Sequence, residues 1–234
     1  MQTDIGVRVC AVLGAVIFST TAFASSVYEA ARFDGRTDKR DLDVKVLTYG
    51  EEARVDVSTN GRAQVSMLES GQRVILIDHV NAIYVVIGSG KNKPRVPLAA
   101  TRLSTTRNLF VMGSYCRAVE FRWSDDVYQE QCSSQVDAAD RRLLRGSHVG
   151  EFMRLVAATG DPRALFDRAA HLLVRHAEES TMPLVIRHFE AGEMLGELRV
   201  LKVTERLLPT KVFDLPRGLK RLSTDTVAIR QAAR

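Results

Sequence analysis

Apolar and polar residues alternate along most of the first half of the chain, between Val27 and Ile87. A period of two places successive side chains on opposite faces of a strand, so this pattern predicts β-strands. Turn residues interrupt it at short intervals, and Asn60-Gly61 between two alternating segments is a strong hairpin signal. The pattern therefore predicts a long antiparallel meander. Its strands are expected at residues 27–33, 42–47, 53–57, 64–69, 73–78 and 82–87.

The apolar spacing changes to that of a helix between about residues 137 and 179. Four apolar residues share one helix face, because they stand at i, i+3, i+4 and i+7: Val149, Phe152, Met153 and Val156. Asp161-Pro162 predicts the start of a second helix, since Asp is a favoured N-cap and Pro suits the first helical position. Strands are predicted again at 183–189 and 194–203, with a short edge strand at 211–216.

Residues 1–24 have the composition of a secretory signal peptide. Arg8 supplies a positive charge, residues 9–18 form an apolar run, and Ala22-Phe23-Ala24 is a small-x-small cleavage site. The run is shorter than the roughly 20 residues that span a bilayer, which disfavours the alternative of an uncleaved anchor. We predict cleavage after Ala24 and export to the periplasm. One domain is expected over residues 25–221, with a mobile tail at 222–234.

The cysteines agree with export. Cys10 leaves with the signal peptide, and its flanking sequence lacks the pattern of a lipidation site. The remaining pair, Cys116 and Cys132, flanks a predicted hairpin whose turn is Ser124-Asp125-Asp126. Pairing about Ser124 would place the two cysteines opposite each other, with Cα atoms about 4.5–5.5 Å apart, within disulfide range. We expect a structural disulfide, since redox-active pairs usually have closer spacing.

The net charge adds little to this picture. Lys and Arg exceed Asp and Glu by five, and the excess is spread along the chain. A nucleic-acid-binding protein would show a concentrated basic patch within an identifiable module, so no nucleic-acid partner is expected. Weak contact with an anionic membrane surface stays open, beside the plainer interpretation of an ordinary solvated surface.

No motif predicts catalysis or metal binding. His171 and His176 are five residues apart, so they do not share a helix face as paired metal ligands would. Neither a His-Glu-x-x-His nor a Gly-x-Ser-x-Gly motif occurs. We therefore expect no catalytic residues, no metal site and no cofactor. A hydrolase whose groups converge from distant positions remains an alternative.

A long antiparallel sheet with a helical insert needs an arrangement that covers its apolar face. One solution is a curled sheet with the helices on its concave side, which leaves an apolar ligand cavity between the two layers. The strand and helix periods predict the lining of that cavity: Val44, Val46, Val55, Val57, Val65, Met67, Leu76, Tyr84, Phe152 and Met153. The alternative is a filled, dry core without a ligand, because close packing is the norm.

Three stretches carry a resemblance to a known family. They are residues 54–57 with 61 and 64–69, residues 74–78 with 82–86, and the Val-Phe-Asp-Leu-Pro-Arg-Gly segment at 212–218. With these, the chain resembles the superfamily of periplasmic outer-membrane lipoprotein carriers, the LolA/LolB-like half-barrel. It is most similar to an uncharacterised group of exported domains within that superfamily, in which a cysteine at the position of Cys116 also occurs. The chain departs from the family pattern in lacking a Pro near Tyr84.

The resemblance implies an α+β fold, a curled antiparallel half-barrel with an α-helical insert packed on its concave face. It also implies a function. We expect an exported, non-enzymatic periplasmic protein that holds a lipid, acyl chain or lipoprotein in the apolar cavity. The alternative is an envelope protein–protein interaction or stress-sensing module with a filled core, binding another envelope protein through an exposed edge strand or its Arg-rich helices.

Overall fold

The computed structural model describes residues 25–71, 73–88, 101–133, 148–173 and 182–223. The predicted signal peptide, the flanks of the helical insert and the predicted tail beyond residue 223 lie outside the described residues. The predicted division into domains thus stays a prediction. The described chain forms twelve strands, two α-helices and one 3-10 helix.

The first six strands form the predicted meander. Each pairs antiparallel with the next along the chain, and the Asn-Gly turn joins the third to the fourth. Their alternating sequences explain this arrangement, because one face of each strand is apolar and becomes buried. The strands are β1 (Ser25–Asp34), β2 (Arg40–Tyr49), β3 (Glu52–Thr59), β4 (Arg62–Ser70), β5 (Arg73–Asp78) and β6 (Ile83–Gly88).

The second half of the chain extends the same sheet. It supplies β7 (Thr101–Val111), β8 (Ser114–Arg122), β9 (Val127–Ser133), β10 (Pro183–Glu190), β11 (Glu193–Arg206) and β12 (Lys220–Leu222). Because β11 returns to pair with β1, the order is β12-β6-β5-β4-β3-β2-β1-β11-β10-β9-β8-β7. The described strands pair antiparallel, apart from the parallel pair of β12 with β6. The result is one large, curled and open antiparallel sheet.

Two elements differ from the sequence prediction. Strand β7 was not predicted, because the polar stretch Ser104–Asn108 interrupts the alternation, and its register with β8 shifts there. The edge strand predicted at residues 211–216 is wrong. A 3-10 helix occupies Thr210–Phe213 instead, and the edge strand β12 follows only after Pro216 and Gly218.

Both helices pack against one face of the sheet. Helix α1 (Val149–Ala158) packs on β10 and β11 and reaches β3, whereas α2 (Pro162–Leu172) packs on β4 and β5. Their apolar faces share one core with the inward residues of β1–β6, β10 and β11. A smaller apolar cluster lies on the opposite face, around Leu109, Ala118, Cys132 and Val185.

The predicted disulfide between Cys116 and Cys132 is present, with Cα atoms 6.0 Å apart. The predicted pairing of β8 with β9 is wrong, because the centre of the turn lies one residue later than predicted. Val119 lies opposite Gln131, so the hairpin centres on Asp125 and not on Ser124. Cys116 instead lies opposite Leu109 of β7, and the disulfide joins diagonal neighbours on β8 and β9. The turn is tightened by two amides, those of residues 123 and 124, which both donate to the Val127 carbonyl.

Removing the disulfide should destabilise this end of the sheet. The double variant Cys116→Ser with Cys132→Ser is expected to lose about 2–3 kcal/mol of unfolding free energy, because the open chain gains loop entropy. Urea denaturation measures the loss. Reducing the wild type with dithiothreitol should reproduce it, while the reductant should leave the double variant unchanged. A wild type that is equally stable with and without reductant would contradict a structural role.

Candidate functional site

Nine of the ten residues predicted to line a ligand cavity lie in the main core. Each of the nine is at most 2% exposed. They come from four neighbouring strands and from α1: Val44, Val46, Val55, Val57, Val65, Met67, Leu76, Phe152 and Met153. The periods read from the sequence thus bring these side chains together between the sheet and the helices.

The tenth residue, Tyr84, points the other way. It lies on β6 between Ile83 and Val85, both members of the core, so its ring is on the opposite face of the sheet. It is half-buried there, beside Ile77 of β5 and Arg221 of β12 in the strand register. The inward assignment of Tyr84 is wrong. Residues 83–87 are apolar at every position, so the sequence does not show which of them face the core.

Within the described residues, the burial of the nine side chains indicates close packing around them and no open space that they line. A side chain that lines a ligand cavity exposes part of its surface to that space, and these expose 2% or less. Close packing of this kind is the usual state of a protein core. An acyl chain could enter between α1 and the sheet only if these side chains moved apart.

A glutamate from the sheet caps the start of α1. The Glu69 carboxylate on β4 accepts the backbone N–H of His148 at 3.0 Å and lies 3.1 Å from the His148 Nδ1. Both side chains are largely buried. The contact satisfies an N–H that has no partner within the helix, and it places negative charge at the positive end of the helix dipole. It therefore ties the start of α1 to the middle of the sheet.

Glu69 also changes the titration of His148. Burial lowers the pKa of His148, but the hydrogen bond and charge of Glu69, with the charge of Glu151, outweigh burial and raise it above 6.5. The two other shifted histidines behave differently. Burial lowers the pKa of His79 and of His188 below 6.5, despite the nearby carboxylates of Asp56 and Glu190.

The raised pKa gives a pH dependence of defined sign. The stabilisation by protonated His148 is complete below the unfolded pKa of about 6.5 and is lost as the pH rises through the higher folded pKa. We expect His148→Gln to cost about 1–2 kcal/mol at pH 6, as for other charged hydrogen bonds, and clearly less at pH 9. Urea denaturation at both values measures it. The matched control is the exposed His171 on α2, where the same substitution should change stability little; an equal cost of His148→Gln at both pH values would sink the prediction.

A buried arginine closes the other end of α1. Arg32 on β1 donates from Nε to the Ala157 carbonyl at 3.1 Å and from Nη2 to the Leu195 carbonyl at 3.2 Å, and it forms an ion pair with Asp41. Ala157 is in the last turn of α1, where carbonyls lack helical partners. Burial raises the pKa of the Asp41 carboxyl, and the charge of Arg32 opposes this shift. The sequence analysis did not identify Arg32. An arginine at an inward position of a strand nevertheless indicates a buried charge that needs hydrogen-bond partners.

Polar contacts join α1 to β8 and β9. Gln129 Nε2 donates to the Arg154 carbonyl at 3.0 Å, and the Arg154 guanidinium donates to Gln131 Oε1 at 3.1 Å. The same guanidinium lies 5.0 Å from the centre of the Phe121 ring. The covered face of the sheet thus changes from apolar at β10 to polar at β9, which marks where the main core ends.

A Ser–His–Asp cluster lies on the face opposite the helices. Ser66 Oγ donates to Asp56 Oδ1 at 2.5 Å and lies 2.7 Å from His79 Nε2. In a nucleophilic triad the histidine stands between serine and carboxylate and takes the serine proton. Here the serine stands in the middle and gives its one hydrogen to Asp56, so His79 must donate to it. Ser66 is also fully buried. The cluster is a structural hydrogen-bond network, assembled from β3, β4 and the turn after β5, and it is not visible as a sequence motif.

The chain after β11 crosses this same face. Arg54, which pairs with Asp56 at 2.8 Å, donates to the Val212 carbonyl at 2.7 Å. Phe213 stacks on Tyr49 with ring centres 6.3 Å apart. The segment then reaches the edge of the sheet as β12. The Val-Phe-Asp-Leu-Pro-Arg-Gly segment at 212–218, which carries the family resemblance, therefore runs across one face of the sheet.

A polar depression of about 580 Å³ lies between the β3–β4 hairpin and the start of α2. Its lining includes Arg62, Gln64, Asp161 and Arg163, and none of the predicted cavity residues. Across the described ranges, no cluster of three or more His, Cys, Asp or Glu side chains is arranged to hold a metal ion. None of the helices in these ranges has the length and apolar content needed to cross a membrane.

Comparison with known proteins gives likeness of fold only. No protein-family model and no curated protein matches the chain. An uncharacterized conserved protein from Thermus thermophilus aligns over 85% of this chain and 90% of its own at 10% identity, with a TM-score of 0.48. The Pseudomonas aeruginosa MucA/MucB complex aligns over 84% and 57% at 8% identity, with a TM-score of 0.44. A LolA superfamily protein from Nitrosomonas europaea aligns over 84% and 91% at 10% identity, with a TM-score of 0.32.

Proposed function

We propose that this chain is an exported, non-enzymatic binding protein of the bacterial envelope that binds a protein partner on its surface. The observation that carries the proposal is the filled interior, in which nine predicted cavity residues are at most 2% exposed. A protein whose core is closed presents its binding groups outside. The proposal therefore favours the interaction module over the carrier with an internal ligand.

A lipid, acyl chain or lipoprotein held inside the molecule is the competing proposal. The contacts of α1 with β3 on one side and with β10 and β11 on the other support a sheet that curls around the helices, as in a half-barrel. Opening that interior would require α1 to lift. Glu69 holds its start and Arg32 holds its end, so both contacts would have to break first.

Uptake of a lipid probe separates these two proposals. The protein recovered from the periplasm should show the mass of the chain beginning at Ser25 in native mass spectrometry, without bound lipid. It should also fail to take up a fluorescent fatty acid, because the nine buried side chains between the described sheet and helices leave no space for it. Co-purified lipid, or saturable uptake of the probe, would overturn the surface-binding proposal in favour of carriage.

The edge of the sheet offers a site for a protein partner. In the described part of the chain, β7 is the outermost strand and pairs with β8 alone. An edge strand presents backbone N–H and C=O groups to which an extended peptide can add as a further strand. Leu103 on β7 is 42% exposed and marks this edge.

Site-specific crosslinking in cells tests the edge. A photoreactive amino acid at Leu103 should give covalent adducts with an envelope protein. The same probe at Glu29, which is exposed on the central strand β1, serves as the matched control and should give none. Adducts of equal yield at both positions, or at neither, would contradict docking at β7.

A further inference from the structure

The tip of the β7–β8 hairpin is apolar on both faces. Leu109 and Val111 are buried in the smaller apolar cluster, and between them Phe110 is 63% exposed on the other face. Tyr115 pairs with Phe110 across the hairpin, with ring centres 5.0 Å apart, and is 77% exposed. A strand with one solvated face normally carries polar residues there. An exposed apolar face of this kind indicates a site of contact with another molecule or with a membrane.

The apex of this hairpin is also unusual. Met112 and Gly113 join the strands with positive φ angles of 50° and 80°, the conformation of Asn60 and Gly61 in the β3–β4 turn. Asn and Gly favour such a turn, whereas a long side chain in the left-handed region is disfavoured. Met112 is nonetheless there, and half of it is exposed. The apex therefore adds a third large, exposed apolar side chain to those of Phe110 and Tyr115.

One positive charge lies directly behind the tip. Arg117 is exposed and stands two residues after Tyr115 on β8, so both residues belong to the same face of the strand. The other arginines of the hairpin are placed differently. Arg107 forms an ion pair with a carboxylate of β9, and Arg102 and Arg122 lie at the end of the hairpin opposite the apex.

We propose that the β7–β8 tip is a membrane-contact site that inserts Phe110, Met112 and Tyr115 into the interface of an anionic bilayer. Aromatic side chains with a polar tip, such as Tyr115, favour the boundary between headgroups and acyl chains. Arg117, behind them on β8, can contact anionic headgroups. The inference does not depend on the protein partner proposed above, since it uses the side chains of the tip and not the edge of β7.

A bilayer fits this surface better than a protein. Three large side chains on a narrow turn make a small convex patch, whereas stable protein interfaces bury about 800 Å² on each partner. An apolar tip with an exposed arginine directly behind it matches the layered chemistry of a membrane surface, with charged headgroups outside and apolar chains beneath.

Vesicle co-sedimentation tests the proposal with the periplasmic form of the protein. Vesicles of equal parts phosphatidylglycerol and phosphatidylethanolamine should bind the wild type, and vesicles of phosphatidylcholine alone should bind it clearly less. The variant Phe110→Ser with Tyr115→Ser should weaken binding to anionic vesicles by about tenfold or more, given the area that two aromatic rings bury. High salt should weaken the wild type as well, because it screens the headgroup contacts.

The variant Met112→Asn separates loss of binding from loss of folding. Asn favours the left-handed conformation of this turn, so the variant should be at least as stable as the wild type while binding anionic vesicles several-fold more weakly. The control is Val80→Ser with Leu207→Ser, which removes two exposed apolar side chains elsewhere and should leave binding unchanged. Wild-type protein that ignores anionic vesicles, tip variants that bind like the wild type, or tip crosslinks to protein in place of lipid would each overturn the proposal.

Discussion

Replacing Phe152 by alanine should cost about 3–5 kcal/mol of unfolding free energy, as is found for large-to-small changes in closed cores. Phe152 is fully buried on α1, among the inward valines of the sheet. The measurement is urea denaturation, with the midpoint and the slope both recorded. Phe152→Leu is the matched control and should cost much less, because it keeps most of the apolar volume.

This substitution also separates a filled core from a ligand cavity. If Phe152 lined an open cavity, the truncation would only enlarge space that already exists, and its cost would fall below about 1 kcal/mol, near that of a change on the surface. In a filled core it creates new apolar space. We therefore expect the alanine variant, and not the wild type, to gain affinity for a small apolar probe. A small cost together with probe binding by the wild type would favour the carrier.

Gly196→Ala should be a severely damaging small change in the sheet, with an expected loss of about 3 kcal/mol or more from overpacking. A Cβ at this position on β11 would come within 2.4 Å of the Arg32 guanidinium and 2.6 Å of the Ala157 carbonyl. The carbonyl belongs to the backbone of α1 and cannot turn aside. The methyl group would thus displace the end of the helix and break the Arg32 contacts at once.

Gly160→Ala provides the comparison. Its Cβ would lie 3.0 Å from the Arg32 Nη1 and 3.3 Å from the Asp41 Oδ2, both at the ends of flexible side chains. We expect a cost of about 1 kcal/mol, typical of point changes. Thermal or urea denaturation of the two variants ranks them. A cost for Gly196→Ala as small as that of Gly160→Ala would show that Arg32 and the end of α1 can shift freely, which would contradict the role of Arg32 in fixing α1.

Much of this fold could be predicted from the sequence because its strands alternate and its turns carry Gly. The β3–β4 hairpin is the clearest case, since Asn60 and Gly61 adopt the positive φ angles that their sequence favours. The helix face of Phe152 and Met153 follows from spacing in the same way. Alternation and helical period both report which side chains are inward, and nine of the ten predicted inward positions are in the core.

The remaining features depend on contacts between distant residues. Tyr84 lies in a strand that is apolar on both faces, so its sequence holds no information on direction. The Arg32 contacts join β1, the end of α1 and β11, and no local pattern encodes them. Whether the predicted cavity is open or filled is decided by the fit of side chains across two layers, which periodicity does not describe.

The pairing of β1 with β11 bears on the order of cleavage and folding in the export that we predict from the sequence. Ser25 follows the predicted cleavage site directly, yet it is fully buried and lies opposite Arg206 in the middle of the sheet. If the chain is cleaved after Ala24 as predicted, the peptidase needs an accessible, extended chain at that point, so cleavage would precede the pairing of β1 with β11. Strand β1 leaves the export channel first, but its partner β11 is the last strand but one. This long sequence separation slows folding and leaves the edges of β1 and its neighbours unpaired until β11 is available. A chaperone that holds β1 until β11 arrives would protect the chain at its most vulnerable stage.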